Sequence, residues 1–386
     1  MCEELDLDIK VKAPRVNTFV DLGLLLFVLK TGFDVSGILP HNTIVDNITI
    51  VVGLGAFVIA VLQQNYSANT LFKYAIVTVL SLCSTLTSGQ SVIIITVITI
   101  LAIRQLDFTK VIRKIRIWST WFICIHSIYF LIQLLLGNAK IFSTDAQGRV
   151  RASFGFGHAN TFSIYLFNII LMWVWENYEK LSWKHVAMIF LIETAAFMLT
   201  NSRTSYLCVI VFLLLLVLIL YSKSSLRWLN KVAGLIFPIL SVLALVSYKL
   251  LLGGNMTIRL IDDALTGRIT LGAYALQKDG LSFIGQKMSF GKIAWTPEWK
   301  LNYFTLDCTY TSLWVNIGWM WIIILMVCFL MLAKRKEIKI SLFIIMWALY
   351  AISEVHGLDA YLCFPILMVV LLLNNQIGFD DNKTER

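Results

Sequence analysis

The sequence predicts an all-α integral membrane protein of about twelve transmembrane helices. Of its 386 residues, 58% are hydrophobic and only 14% are charged, and the mean hydropathy is +0.79. Ordinary soluble domains are about half apolar and about a quarter charged. Apolar runs close to the roughly 20 residues that cross a bilayer recur along the whole chain. A multi-pass protein follows from these observations, and a soluble fold is excluded.

The individual spans are predicted from apolar runs between polar connections. They begin near Val16, Asn47, Tyr74, Ser91, Arg116, Thr161, His185, Thr204, Trp228, Cys308, Lys339 and Ala360. The third and fourth runs are short, and reading them as one long helix is the alternative, which would reverse the direction of every later span. The positive-inside rule favours two separate spans. With two spans, twenty of the 32 Lys and Arg residues lie on the cytoplasmic side, together with both termini.

Charge and cysteine usage exclude several other classes. The net charge of +9 comes from Lys and Arg in short connections between apolar runs, where they report orientation, so nucleic acid is not an expected partner. The seven cysteines are scattered without metal-ligand spacing, and neither a metal nor a cofactor is predicted. The acidic N-terminus lacks the pattern of a removable signal, so we expect the first apolar run to persist as a helix.

One long outer segment stands apart within what we read as a single membrane domain, residues 1–386. Residues 253–307 form an extracytoplasmic loop that carries six basic residues, which topology does not explain. The stretch Ile269 to Leu281 mixes apolar and polar residues at near-helical spacing. We expect amphipathic helices there, on the membrane surface or over a cavity.

The densest polar stretch, residues 148–160, precedes the sixth span on the outer side. It combines Arg149 and Arg151 with glycines, His158 and Asn160. Helix N-termini offer free N–H groups, glycines permit close backbone approach, and guanidinium groups bind phosphate oxygens, which together would suit a diphosphate. The alternative is that Asn160 caps the helix after a flexible turn while the arginines meet lipid headgroups. The residues alone leave both interpretations open.

Two further outer segments carry an arginine. Arg203 lies in the tight turn between spans seven and eight, and Arg268 follows Gly267 at the start of the amphipathic stretch. A single arginine at a membrane edge commonly reaches toward headgroups and means little. Three arginines on one side matter more, because a diphosphate leaving group spreads its charge over several oxygens.

Candidates for proton transfer lie on the same predicted side. They are Asp307 before span ten, His158, and Glu354 and His356 after span eleven. A carboxylate or imidazole there could accept a proton from a sugar hydroxyl. Asp307 could equally be a helix cap, and His356 is interpreted as an interfacial loop residue. We interpret two carboxylates within spans, Glu193 and Asp21, as structural, held by hydrogen bonds or ion pairs.

These motifs resemble those of Wzy-type polysaccharide polymerases of Gram-positive bacteria, in the superfamily of O-antigen polymerases and O-antigen ligases. The resemblance is carried by Arg151-x-Ser-Phe-Gly-Phe-Gly-His-Ala-Asn160, Asn201-Ser-Arg-Thr204, Gly267-Arg268, and Asp307-x-x-Tyr310 followed by Gly318. It covers most of the chain from about Tyr74. In the ligase branch a His stands near the position of Asp307, and Ala159 stands where the family often has Pro.

The resemblance implies an all-helical, metal-independent, inverting glycosyltransferase of the bacterial cytoplasmic membrane that joins undecaprenyl-diphosphate-linked oligosaccharide repeat units. By this similarity Arg151, Arg203 and Arg268 bind the departing diphosphate. Asp307 is the preferred base, followed by His158 and Glu354. Membrane lipids are implied partners, and chain-length regulator and flippase proteins are possible ones. The alternatives are ligase-type transfer to another acceptor and a flippase or transporter of the same lipid, although transporters usually show internal symmetry and midplane charges.

Overall fold

The computed structural model describes residues 14–144, 149–222, 226–296, 299 and 301–373. Within these residues the chain is mainly helical, with two short antiparallel hairpins. The helices are α1 Pro14–Val35, α2 Thr43–Leu62, α3 Ala68–Ser88, α4 Val92–Ala102, α5 Phe108–Leu135, α6 Ala159–Asn177, α7 Trp183–Thr200, α8 Arg203–Tyr221, α9 Arg227–Leu252, α10 Met256–Ala264, α11 Arg268–Asp279, α12 Thr309–Thr311, α13 Met320–Ala333 and α14 Ile338–Ser353. The hairpins pair β1 Phe142–Thr144 with β2 Val150–Ala152, and β3 Gly291–Thr296 with β4 Leu301–Phe304.

Six helices among the described residues are long and apolar enough to cross a membrane, namely α1, α2, α3, α5, α7 and α9. Shorter apolar helices of 10 to 17 residues accompany them, in α4, α8, α13 and α14. The prediction of a multi-pass membrane protein is therefore confirmed at this level. That the chain crosses the membrane twelve times stays a prediction. The predicted cytoplasmic termini lie outside the described residues.

The third and fourth apolar runs form two helices that pack against each other. Helix α3 ends at Gly89, whose positive φ of 74° places it in the left-handed region, and α4 begins at Val92. Glycine adopts that conformation without steric cost, so it commonly ends helices. The alternative of one long helix is wrong, because the chain reverses over Gly89 to Ser91.

The tenth apolar run is not one continuous helix, contrary to prediction. Helix α12 passes into a π-helical turn at Ser312–Ile317, and Gly318, with φ of 117°, separates that turn from α13. The loop residues 282–286 fill the break. The amide of Gln286 donates to the carbonyl of Asn316 at 2.8 Å, and the Asn316 side chain returns a hydrogen bond to the Gln286 carbonyl at 2.9 Å. Backbone groups freed by the interrupted helix are thus satisfied by the loop.

Helix α14 lies at the centre of the bundle. Most of its residues are buried, including Trp347, and it packs against α8, α9 and α13. A helix that is apolar on all sides requires such a position, because it has no face for water. Its C-terminus therefore carries the residues that follow, from Glu354 onward, into the interior of one end of the bundle.

Basic residues gather at the opposite end of the bundle. Arg116 donates to Glu176 at 2.5 Å, which joins the start of α5 to the end of α6. Lys339 at the start of α14 lies 4.2 Å from the centre of the Trp175 ring, and Arg104 lies over the Tyr66 ring. We call this the basic end. The sequence predicts that the connections carrying these basic residues lie on one side of the membrane, and their common position at the basic end is consistent with that prediction.

The long loop contains the expected amphipathic helices, α10 and α11. The hairpin of β3 and β4 follows them and was not predicted. Helix α11 packs on the last turns of α9 through Gly272, where a Cβ would lie 2.5 Å from the Tyr248 ring. This close approach sets α11, and with it Arg268, against the end of the bundle away from the basic end.

Candidate functional site

Arg151 is buried at the end of the bundle away from the basic end. Only 4% of the residue is exposed, and its Nε donates to the carbonyl of Thr200 at 2.8 Å. A second guanidinium nitrogen donates to the Asn160 side-chain oxygen. A charged group this deeply buried requires such partners. These bonds fix the guanidinium between β2, the start of α6 and the end of α7.

The glycines near Arg151 serve backbone packing. The Gly157 amide donates to the Val35 carbonyl at 2.9 Å, and the Gly37 amide donates to the Gly155 carbonyl at 2.8 Å. Gly155 has φ of 80°, and a Cβ there would lie 2.8 Å from the Ile38 side chain. Close backbone approach was expected at these glycines, and the backbone they approach is the segment after α1.

The N-cap of α6 is His158, not Asn160 as one interpretation had it. The His158 Nδ1 accepts a hydrogen bond from the Asn160 amide at 3.1 Å, and the His158 side chain is exposed. Asn160 lies within the first turn of the helix and directs its side chain to Arg151. The structure therefore gives His158 a capping contact and Asn160 a role in holding the arginine.

Arg203 lies at the turn that Arg151 contacts. Thr200 ends α7, Asn201 adopts a left-handed conformation with φ of 50°, and Arg203 begins α8 with an exposed side chain. Asparagine tolerates this conformation better than most residues. The turn brings Arg203 within three residues of the carbonyl that holds Arg151, so these two predicted arginines belong to one region.

Arg268 is the second buried arginine, with 8% of the residue exposed. It begins α11, whose first amides are already capped by Asp262: the amides of Ile269 and Thr270 donate to its carboxylate at 2.7 and 3.1 Å. The start of this helix therefore does not offer those N–H groups to an anion. The Arg268 Nη2 lies 3.8 Å from Oε1 of Glu354.

Glu354 lies directly after α14 and is buried, with 7% of the residue exposed. Burial raises its pKa to about 8; the guanidinium of Arg268 opposes that rise and the charge of Asp307 adds to it. The Glu354 backbone carbonyl accepts from both the amide and the hydroxyl of Thr309, at 2.9 and 2.6 Å. The connection after α14 is thus joined to the segment that carries Asp307.

Asp307 is half-buried, two residues before Thr309, and the helix that follows is capped by Cys308 without a side-chain hydrogen bond. Of the two interpretations of Asp307, the helix cap is therefore not the one that this structure shows. The charge of Asp307 raises the pKa of both Glu354 and His356. Asp307 therefore lies near both of these residues.

The two arginine regions are connected through α8. Cys208 lies five residues after Arg203, about 7.5 Å along the helix axis, and its sulfur is 3.9 Å from the Ser353 hydroxyl. Ser353 immediately precedes Glu354, the ion-pair partner of Arg268. Arg151, Arg203 and Arg268 therefore lie at the same end of the bundle, around the C-terminus of α14.

A polar cavity of about 380 Å³ opens beside Asp307 at this end. The last turns of α1, the start of α4, the end of the long loop, the π-helical turn and the segment after Glu354 all contribute to its walls. Polar side chains in the walls are Lys30, Thr31, Asp34, Gln90, Ser91, Thr96, Thr305, Ser312, Asn316, His356, Asp359 and Tyr361. None of the described residues that line the cavity is an arginine. The cavity could not be predicted from the sequence, because its walls come from five segments that are distant along the chain.

Two of these groups have shifted pKa values. Burial lowers the pKa of His356 to about 4, against the effect of Asp307, so its imidazole is neutral at neutral pH. Burial raises the pKa of Asp359 to about 6, although hydrogen bonding and Lys30 oppose the rise. His356, interpreted as an interfacial loop residue, thus faces a cavity as a neutral hydrogen-bonding group.

Three ligand-type residues meet near the end of α1, although no metal was predicted. Donor atoms of Asp34, His41 and Asp46 lie within 4.8 Å of one another. His41 pairs with Asp46 at 3.1 Å, and Lys30 pairs with Asp34. The ammonium group of Lys30 supplies positive charge to Asp34, as a bound metal cation would. We read the group as a network of ion pairs.

The carboxylates within helices differ from each other. Asp21 is paired with Lys114 at 2.6 Å, as expected. Glu193 is buried in α7, and its Oε1 has no hydrogen-bond partner among the described residues. The structural hydrogen bond expected for Glu193 stays a prediction.

Comparison with protein-family models, with curated proteins and with solved structures finds no significant match for this chain.

Proposed function

We propose that this chain is a polysaccharide polymerase of the Wzy type, an inverting glycosyltransferase at the outer face of the bacterial cytoplasmic membrane. Its substrates are undecaprenyl-diphosphate-linked oligosaccharide repeat units, as donor and as acceptor. The observation that carries the proposal is the burial of Arg268 beside Glu354 and Asp307, at the end of the bundle that also holds Arg151 and Arg203. Two buried cations, one of them with an adjacent carboxyl group, suit a reaction in which an anion leaves and a proton is taken up.

In the proposed step, a hydroxyl oxygen of the acceptor sugar attacks the anomeric carbon of the donor sugar from the face opposite the phosphate. A carbon–oxygen bond forms while the bond from the anomeric carbon to the phosphate oxygen breaks, so the configuration inverts. The hydroxyl proton passes to a carboxylate, and the lipid diphosphate leaves with the electron pair. Atoms and charge balance without a further reactant.

The arginines stabilise the leaving group in this proposal. Diphosphate gains negative charge as the bond breaks, and fixed guanidinium groups stabilise that charge without reorganising. Hydrogen bonds to Thr200 and Asn160 hold Arg151 in place, and Glu354 holds Arg268. Arg203 is exposed, which leaves it on the surface from which a lipid diphosphate would approach.

Asp307 is the proposed base. Its charge affects both Glu354, which neighbours Arg268, and His356, which lines the polar cavity. In this proposal the attacking hydroxyl comes from the cavity, on the side opposite the leaving group. Glu354 is not the proposed base, because burial raises its pKa to about 8 and so keeps it largely protonated at neutral pH. Its carboxyl group lies 3.8 Å from the Arg268 guanidinium, and we propose that it positions Arg268. His158 is the remaining candidate base, and its exposed capping position supports it less.

The test is an assay of the purified full-length protein with lipid-linked repeat units in the presence of a chelator. A ladder of glycans that grows by one repeat unit at a time is the expected result. Movement of the intact lipid across a vesicle membrane without a ladder would indicate a flippase instead. Transfer of a single finished glycan to an unrelated acceptor would indicate a ligase.

A further inference from the structure

We infer that the polar cavity is a separate carbohydrate site, which holds the sugar end of the acceptor while the arginines hold the diphosphate of the donor. The assignment to the acceptor rests on the proposed function; the binding of carbohydrate does not. The two sites would lie on opposite sides of the segment that begins at Glu354. Asp307 would lie between them.

The size and lining of the cavity fit a sugar. Its volume of about 380 Å³ falls at the lower end of the range for small-ligand pockets. An amide at Gln90, hydroxyls at Ser91 and Thr305, and the neutral imidazole of His356 offer both donors and acceptors. Phe290 adds an aromatic surface against which the apolar face of a sugar ring packs.

The charges in the cavity do not fit a diphosphate. Lys30 is the one cationic side chain among its described lining residues, and it is paired with Asp34. Asp359 adds a further carboxyl group. A polyanion would meet as many acidic groups as basic ones, or more, whereas a neutral polyhydroxyl ligand needs only hydrogen bonds. A carbohydrate without a phosphate group fits this arrangement of charges.

The position of the cavity suits an acceptor. Thr305 and Leu306, which line it, lead directly to Asp307, and Val355 and His356, which also line it, follow Glu354. A sugar hydroxyl at this wall would face Asp307, and Arg268 would lie beyond Glu354. The Thr309 hydroxyl donates to the Glu354 carbonyl and accepts from the Gly357 amide, and these two hydrogen bonds hold the wall in place here.

Ser91 offers a clean variant. It precedes α4, and its side chain makes no capping hydrogen bond, so Ser91→Phe fills the cavity without removing a cap. Ser91→Ala is the matched control, because it leaves the cavity open. Gln90→Leu is a second variant of similar volume that removes the amide.

The experiment measures binding of a lipid-free oligosaccharide, released by mild acid from the lipid-linked repeat units of the cells that express the protein. Saturation-transfer NMR with the purified full-length protein is expected to show binding by the wild type and by Ser91→Ala. The apparent affinity of Ser91→Phe should fall at least tenfold, and that of Gln90→Leu severalfold. Elution profiles and unfolding temperatures check that each variant folds.

The outcomes separate the two proposals. Absence of binding by the wild type, or wild-type affinity in Ser91→Phe, overturns the carbohydrate site. If Ser91→Phe does not fold, wild-type affinity in Gln90→Leu overturns it equally. Binding that Ser91→Phe abolishes, with no glycan ladder from the wild type, refutes the polymerase and leaves the carbohydrate site standing. Arg268→Ala should retain oligosaccharide binding and lose transfer.

Discussion

The guanidinium of Arg268, at the start of α11, lies 3.8 Å from the carboxyl group of Glu354, just after α14. The two residues are 86 positions apart in the sequence, and both are buried. Burial of both partners makes the loss of either one costly, because the other is then left buried without its neighbour. This pair joins the long loop to the central helix, and the proposed chemistry depends on it.

The first prediction concerns the arginines. Arg151→Ala, Arg203→Ala and Arg268→Ala should each lower polymer formation by about 100-fold or more, since loss of one donor to a developing charge typically costs that much. Lys should restore little, because an ammonium group lacks the planar two-pronged geometry of guanidinium. The measurement is the rate of ladder formation by purified protein. Arg259→Ala, at an exposed position of α10 in the same loop, is the control. Wild-type polymer from all three variants would refute the assignment.

The second prediction concerns the base. Asp307→Asn should reduce the rate of transfer by about 100-fold or more while donor binding is retained, since proton acceptance contributes about that much. His158→Asn keeps a residue type that caps helices well and should have a small effect. Single-turnover transfer and donor binding are measured in parallel. If His158→Asn loses transfer and Asp307→Asn does not, the base is His158.

The third prediction concerns stability against pH. Because burial raises the pKa of Glu354 from 4.5 to about 8, the folded protein holds this proton more tightly than the unfolded chain. The contribution to stability is complete below pH 4.5 and is lost as pH rises through about 8. Relative to the wild type, Glu354→Gln should therefore be increasingly stable as pH rises from 5 to 8.5. Unfolding temperatures in detergent measure the difference.

Glu337→Gln is the control for that measurement. Glu337 precedes the same helix at its other end, and its side chain is exposed. A difference from the wild type that does not change with pH is expected for this control. If the stability difference between Glu354→Gln and the wild type is also independent of pH, the Glu354 carboxyl group ionises in the folded protein without a large loss of stability.

The fourth prediction concerns metal. Excess chelator should leave ladder formation within about twofold of the untreated rate, since arginines replace the divalent cation that otherwise stabilises a leaving diphosphate. The group of Asp34, His41 and Asp46 is the place to look if this fails. Two results together would establish a cation site there. The wild type would lose activity in chelator and regain it with Mg²⁺, and the activity of Asp34→Asn would not respond to Mg²⁺.

The fifth prediction concerns the break in the tenth apolar run. A Cβ at Gly318 would lie 2.5 Å from the Phe283 carbonyl oxygen, and its φ of 117° is unfavourable for other residues. Gly318→Ala should destabilise the protein by about 1–3 kcal/mol, seen as a lower unfolding temperature. Gly55→Ala, in α2 with open space around it, should be neutral or stabilising. Equal unfolding temperatures for both variants would show that the loop 282–286 is not seated in this break.

Some parts of the site could be predicted from the sequence. Arg151, Arg203 and Arg268 were predicted to lie on one side of the membrane, and the structure brings them to one end of the bundle; their role stays a prediction. Gly155 and Gly157 permit the close backbone approach that was expected, but a glycine does not indicate what approaches, and here it is the segment after α1. Gln90 and Asp359 were missed, since single polar residues beside apolar runs carry no local signal.

The sequence by itself determined that the protein is a multi-pass membrane protein. The hydrophobicity and the length of a segment decide whether it can leave water for the bilayer, and both are properties of residues that are neighbours in the sequence. It also determined where α3 and α4 separate, because Gly89 ends a helix through its own backbone freedom. Only the tertiary structure decided that Glu354 meets Arg268, that Asp262 caps α11, and that the tenth run breaks around a loop. Those outcomes depend on which distant segments pack together, and packing is a property of the whole chain.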